Sequence, residues 1–312
     1  MDSTGTDLEA TRSLRVLELY CGIGGCSAAL PPEAEVVAAI DVNATALSVY
    51  RQNFPHTSLP INLDFISSED LKRWSADLWW LSPPCQPFTV RGLRRDTEDP
   101  RTRSFLRLID CLGDLRPTFL ALENVPGFSG SRTHTRLRSV LDELGYAVHE
   151  VVLCPTEIGV PNRRRRFFLV AGLAELQPMS LPEFERQPLA SFLDSEPSRD
   201  LWVDQGLVDN YREALSLVDP QKPSAVTSCF TSAYGRSTVR SGSYLETATG
   251  LRRFSPTEIL RLLGFPSDFV LPPDLSRQVA WRLVGNSLSV PSVRYVLSAI
   301  PALADSSAPY SR

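Results

Sequence analysis

The stretch "LRVLELYCGIGG", Leu14 to Gly25, decides the fold. Its first half reads as a short buried strand, and its second half as a glycine-rich turn leading into small residues suited to a helix. Val36 to Ile40 is a second apolar strand ending at Asp41, and Asn43 is placed to cap a helix running through Asn53. The chain therefore opens as a βαβ unit. Strands are predicted again at "ADLWWLS" (Ala76 to Ser82), "TFLALEN" (Thr118 to Asn124) and "RFFLVAG" (Arg166 to Gly172), with a helix near Phe105 to Leu115. The alternation predicts an α/β open sheet.

After Gly172 the pattern breaks into proline-punctuated segments through about Gly250, which reads as a smaller inserted domain. Periodicity returns at "SPTEILRLLGF", where Ser255, Pro256 and Glu258 make a capping-box start. A last helix is predicted over Val290 to Leu303. The expected division is a flexible 1–12, a large domain from 13–174 and 250–304, a small domain at 175–249, and a flexible 305–312.

No apolar run approaches the roughly 20 residues that cross a bilayer, and the polar N-terminus lacks a signal-peptide core, so a cytoplasmic, non-membrane protein is expected; a monomer is expected separately. Six cysteines without a C-x-x-C pair, and three histidines, suggest neither a metal site nor a disulfide framework. The formal charge of −4 argues against gross capture of nucleic acid, yet of 32 basic residues only Lys72 and Lys222 are lysines. The arginines cluster after Cys85 and again at Arg163 to Arg166. Such patches bind phosphates inside an acidic protein, or are solvated surface.

Three motifs carry chemistry. The turn Gly22, Gly24, Gly25 with Asp41 at the next strand end suits a nucleoside: glycines admit a close ligand, and a carboxylate there accepts ribose hydroxyls. Its spacing is not the dinucleotide fingerprint, and a purely structural turn stays open. In "SPPCQPFT", Ser82 to Thr89, two prolines stop the strand and present Cys85 at the carboxyl edge of the sheet, where a buried inert thiol is the bland alternative. "ENV" delivers Glu123 to the same edge, unless it only caps a helix or sits in water.

A thiolate and a buried protonated carboxyl belong together because C5 of cytosine takes a methyl group only after a nucleophile adds to C6. A thiol near pKa 8.5 is about 3% ionised at pH 7, so cationic neighbours are expected to lower Cys85. Arg164 and Arg166 alternate with Arg163 and Arg165, so one pair can face the site.

With these residues in hand, the sequence resembles the cytosine-5 methyltransferase family from "LELYCGIGG" to "GNSLSV". The resemblance implies a Rossmann-like methyltransferase domain with an inserted target-recognition domain, and catalytic roles for Cys85, Glu123, Arg164 and Arg166. It implies S-adenosyl-L-methionine as cofactor, held by Tyr20, Gly22, Ile23, Gly24, Gly25, Asp41, Val42, Asp64, Phe65, Pro83, Asn286 and Ser287. "DVN", "NFPHT", Asn162 and the Cys229-Phe230-Thr231 triplet are similar to the branch acting on tRNA, which implies cytosine 38 of the anticodon loop as target and tRNA as partner, with weak DNA binding secondary. Gln86, Arg91, Arg94, Arg95, Arg101, Arg103, Cys229, Phe230 and Thr231 are the expected substrate contacts, the arginines gripping RNA from a mobile loop. A DNA cytosine-5 methyltransferase and a non-catalytic cofactor-binding regulator are the competing readings.

Overall fold

Strand β1 (Arg15–Leu19) is buried along its length except at Arg15, and it forms parallel ladders with β2 (Glu35–Ile40) on one side and β4 (Leu78–Leu81) on the other. The computed structural model describes residues 12–88, 96–179, 181 and 184–307. Helix α1 (Ala44–Asn53) follows β2, its first turn capped by the Asn43 side chain, which accepts from the backbone of Thr45 and Ala46. Strand β3 (Ser58–Leu59), helix α2 (Ser68–Lys72), helix α3 (Arg103–Leu115), strand β5 (Phe119–Asn124), helix α4 (Arg132–Glu143) and strands β6 (Ala147–Leu153) and β7 (Arg166–Gly172) complete a seven-stranded sheet of order β3-β2-β1-β4-β5-β7-β6. Strand β7 runs antiparallel to both its neighbours.

The near-continuous apolar strands follow from burial on both faces. Val16, Trp80 and Ala121 point into one core with Val284, Val293 and Val296, while Leu17, Trp79, Leu81 and Leu122 point into another with Leu108, Leu112 and Leu141. The α/β open sheet expected from the sequence is present, with β6 an additional edge strand. No helix among the described residues is long and apolar enough to cross a membrane.

Beyond β7 come helix α5 (Gln205–Tyr211) and a three-stranded sheet of β8 (Ser216–Val218), β9 (Ser243–Thr247) and β10 (Gly250–Arg253). Strands β9 and β10 pair antiparallel, Gly250 opposite Thr247, so the expected boundary at 249/250 is corrected: it falls inside a hairpin. Phe230, Tyr234 and Phe254 join this region to the larger core. Helices α6 (Pro256–Leu262), α7 (Arg277–Asn286) and α8 (Val290–Leu297) close the chain against the first domain. Helix α6 begins with the capping box read from the sequence. The last helix ends at Leu297 instead of Leu303, because Pro301 has no N–H to continue the ladder.

Candidate active site

The strand ends converge on one edge of the large sheet. There β1 runs into the glycine turn, β2 into Asp41, β4 into the Cys85 loop and β5 into Glu123, while antiparallel β7 begins with Arg166. In the β5–β7 ladder Glu123 lies opposite Phe168. Residues two apart share a face, so Arg166 reaches diagonally to Glu123, with Nε 3.0 Å from Oε1. The Cys85 loop is tied to β5: Asn124 Nδ2 donates to the Pro83 carbonyl (3.2 Å), and the Phe88 amide donates to the Cys85 carbonyl (3.0 Å). Gly127 is required beneath it, since a Cβ there would lie 2.4 Å from the Phe88 carbonyl oxygen.

Arg164 is buried, and its guanidinium donates to the carbonyls of Phe230 (3.0 Å), Gly285 and Ser287. It also lies 3.4 Å from Cys229 Sγ, and Arg166 lies 3.8 Å from the same sulfur. Both arginines thus face the site, as their alternation suggests, while Arg163 and Arg165 are exposed. Both polar atoms of the Asn162 amide, and Nε of Arg164, are buried without a hydrogen-bond partner among the described residues.

Burial pushes the Glu123 carboxyl above the usual carboxylate range, although Arg166 and Arg164 pull it down. Burial, then the Glu123 charge, push the Cys85 thiol up against the same arginines. The arginines thus act on Cys85 in the expected direction, but burial and Glu123 outweigh them, which corrects the expected net lowering. Their effect prevails at Cys229, which Arg164 and Arg166 hold below the ordinary thiol range despite its burial. The inversion is a matter of contact: the guanidiniums of Arg164 and Arg166 reach the Cys229 sulfur, and the carboxyl beside Cys85 opposes them there.

The glycine turn has its own geometry. Gly22 has φ +55°, with nothing within 4 Å of where a Cβ would stand, and its amide donates to Asp41 Oδ2 (2.9 Å). Gly25 packs so closely that a Cβ would lie 2.8 Å from Leu288 Cβ, which lays the α7–α8 turn, with exposed Asn286 and buried Ser287, against the glycines. Val42, just past the end of β2, and Phe65, in the turn that follows β3, are 71% and 78% exposed.

A family profile described as C-5 cytosine-specific DNA methylase matches residues 14–210 and 198–302. The chain belongs to that family. A human tRNA (cytosine(38)-C(5))-methyltransferase is 34% identical over 377 aligned residues, covering 89% of this chain and 96% of that protein. A DNA (cytosine-5)-methyltransferase of Dictyostelium discoideum is 30% identical, covering 92% and 94%. The solved structure of the Entamoeba histolytica methyltransferase EhMeth superposes with a TM-score of 0.87 at 25% identity, covering 94% of this chain and 98% of that one.

This cytosine-5 methylase therefore uses S-adenosylmethionine as methyl donor. The residues fit it. The open space over Gly22 admits a ligand against the backbone. Each Asp41 oxygen accepts one amide, from Gly22 and Asn43, and retains a lone pair for a hydroxyl. Apolar side chains as exposed as Val42 and Phe65 suit the faces of a purine. Asp64 and Tyr20 are half-buried nearby, Tyr20 donating to Ser104 Oγ; Pro83 is buried, and Ile23 turns its side chain into the core, leaving its backbone for a ligand.

The expected substrate contacts are placed unequally. Gln86 is exposed, and Cys229 and Thr231 are partly so. Phe230 is corrected: its ring is 2% exposed and packs edge-on against Tyr234 and Phe254, so it offers only its carbonyl, to Arg164. The Arg101 guanidinium is likewise occupied, paired in a fork with Asp99 (2.8 and 2.7 Å). Arg103 starts α3 and lines a groove shared with Asp64, Glu98, Asp99 and Asp110. Arg91, Arg94 and Arg95 lie outside the described residues. Sequence reasoning missed the Cys229–arginine contacts and the Asn124–Pro83 tie, both of which depend on loops meeting in space.

Proposed function

We propose that the protein methylates C5 of cytosine 38 in a tRNA anticodon loop through a covalent bond from Cys85 Sγ to C6 of the base. The observation that supports it is the meeting of Cys85, Glu123, Arg164 and Arg166 at one sheet edge beside the glycine turn, in a chain similar over nine-tenths of its length to a protein named for that reaction. A loop base can be splayed into such a cleft without the cost of opening a duplex.

The residues divide the work. Cys85, as thiolate, adds to C6. Glu123 in its protonated form donates a hydrogen bond to N3, which withdraws charge from the ring and leaves C5 enamine-like. Arg166 orients Glu123 through the 3.0 Å contact, and Arg164 buttresses the wall formed by residues 229–230 and the α7–α8 turn. The cofactor, which Gly22, Asp41, Val42 and Phe65 would hold, would supply an electrophilic methyl group to C5 and be left as the neutral thioether. Loss of the C5 proton to solvent water then expels the Cys85 thiolate and restores the aromatic ring.

The test sets total tRNA beside duplex DNA with labelled cofactor and maps the product by bisulfite sequencing. We expect label at an anticodon-loop cytosine of tRNA, a denaturation-resistant complex with RNA carrying 5-fluorocytosine there, and loss of both in Cys85→Ala, which still binds cofactor. Incorporation into DNA alone would overturn the substrate, and undiminished turnover in Cys85→Ala would overturn the mechanism.

A further inference from the structure

Two groups of arginines in this chain differ in their partners. Arg101 just before α3, and Arg136 and Arg138 on α4, are neutralised: Arg101 pairs with Asp99, Arg136 with Asp110, and Arg138 with Asp142 and Glu150. On the segments that adjoin Arg164 and Cys229 the arginines are not. Arg163, Arg165, Arg236 and Arg240 are exposed, and among the described residues none of the four is joined to a carboxylate. The sequence explains why: residues 158–174 and 220–245 contain no aspartate or glutamate at all.

The fold brings these two acid-free stretches together at the catalytic centre. The Arg163 amide donates to the Thr227 carbonyl and the Thr227 amide to the Pro161 carbonyl, both at 2.9 Å, which locks the arginine run beside the segment entering Cys229. The Thr231 amide donates to the Ser241 carbonyl (2.8 Å), closing residues 231–241, which carry Arg236 and Arg240, into a loop directly after Cys229 and Phe230. Those two residues are the ones Arg164 touches from inside. Arg164 thus holds the inner side of the segment from which this loop springs, and Arg163 and Arg165 turn outward from the same arginine run.

We propose that Arg163, Arg165, Arg236 and Arg240 form a rim that grips the ribose-phosphate backbone of the RNA on the strand flanking the target cytosine. This rests on the reading of an RNA substrate given above. In a chain of net charge −4 the molecule as a whole repels a polyanion, so attraction must come from a local field, and unpaired guanidiniums beside the cleft supply it. Phosphate suits them because the planar fork donates two parallel hydrogen bonds to one anion. The arginines after Cys85 were the sequence-based expectation for this role; Arg101 is already committed to Asp99.

The experiment compares the full-length wild type with Arg163→Gln/Arg165→Gln/Arg236→Gln/Arg240→Gln, and with Arg138→Gln as a charge control remote from the rim. Binding of an anticodon stem-loop RNA is followed by fluorescence anisotropy as salt is raised. If all four contact phosphate, the slope of log K against log salt becomes shallower by about 3 in the quadruple variant, at roughly 0.7 per single-strand phosphate contact. KM for RNA rises at least about tenfold with kcat changed by less than about twofold, while cofactor affinity and melting temperature hold; Arg138→Gln behaves as wild type. The retained cofactor affinity shows that the variant is folded. An unchanged slope and affinity overturn the rim. If the wild type methylates DNA and no tRNA, the substrate reading fails by itself, and the same slope measured on that DNA decides the rim separately.

Discussion

At the scale of single residues, Glu123 and Cys85 oppose one another. The Glu123 charge helps push the thiol up, and burial pushes the carboxyl toward its protonated form. In the mechanism proposed above, a proton on Glu123 therefore does two things: it arms the acid that would face the base, and it removes the charge that disfavours thiolate. Glu123→Gln separates them, since it is neutral and nearly the same shape. The pH midpoint for alkylation of Cys85 by iodoacetamide moves lower in that variant, while methyl transfer falls by about 100-fold or more, the scale of a lost general acid. A midpoint that stays in place or rises shows that the carboxylate does not act on the thiol.

At the scale of elements, the joint between β10 and α6 holds a buried ion pair. Arg252 and Glu258 have side chains 4% and 0% exposed, joined by two bonds of 2.9 and 2.7 Å, and Glu258 also accepts the amides of Asp194 and Ser255. Glu258→Ala strands a guanidinium in the interior and is expected to cost about 3–5 kcal/mol in urea unfolding; a loss under about 1 kcal/mol refutes the account. The capping box at Ser255 is visible in sequence, but the partner across the joint is not, because Arg252 reads as one more surface arginine. The same limit runs through the fold. Strands β1, β4, β5 and β7 are legible because two covered faces make near-continuous apolar runs. Strand β6 is not, because His149 and Glu150 interrupt a half-exposed edge. In the site, which residues gather is legible from strand ends; which thiol the arginines lower is not, because that depends on loops more than sixty residues apart meeting in space.

At the scale of the whole molecule, stability carries a pH dependence rooted in Glu18. It lies at the centre of the sheet on β1, fully buried, where it accepts from Ser27 Oγ (2.5 Å) and the Cys26 amide (3.2 Å) just after the glycine turn. Tyr50 joins the cluster and leads outward to His56 Nδ1 (3.1 Å), with Cys21 and Cys26 adjacent. Burial pushes the Glu18 carboxyl from 4.5 up to about 7. A folded state that binds this proton more tightly than the unfolded chain is favoured at low pH. The contribution is full below 4.5 and is lost as pH rises through about 7, a span on the order of 3 kcal/mol. The thiols and Tyr50 are pushed above their ordinary values and stay neutral across this window, whereas His56 is lowered by burial and works with the opposite sign. A raw pH profile therefore mixes terms, and the comparison with Glu18→Gln isolates one. The stability of the wild type minus that of Glu18→Gln, from urea unfolding, should decline between pH 5 and pH 8 and then level off. Parallel curves across that range would mean that Glu18 keeps its charge in the folded protein, and that the floor of the glycine turn is anionic instead of neutral.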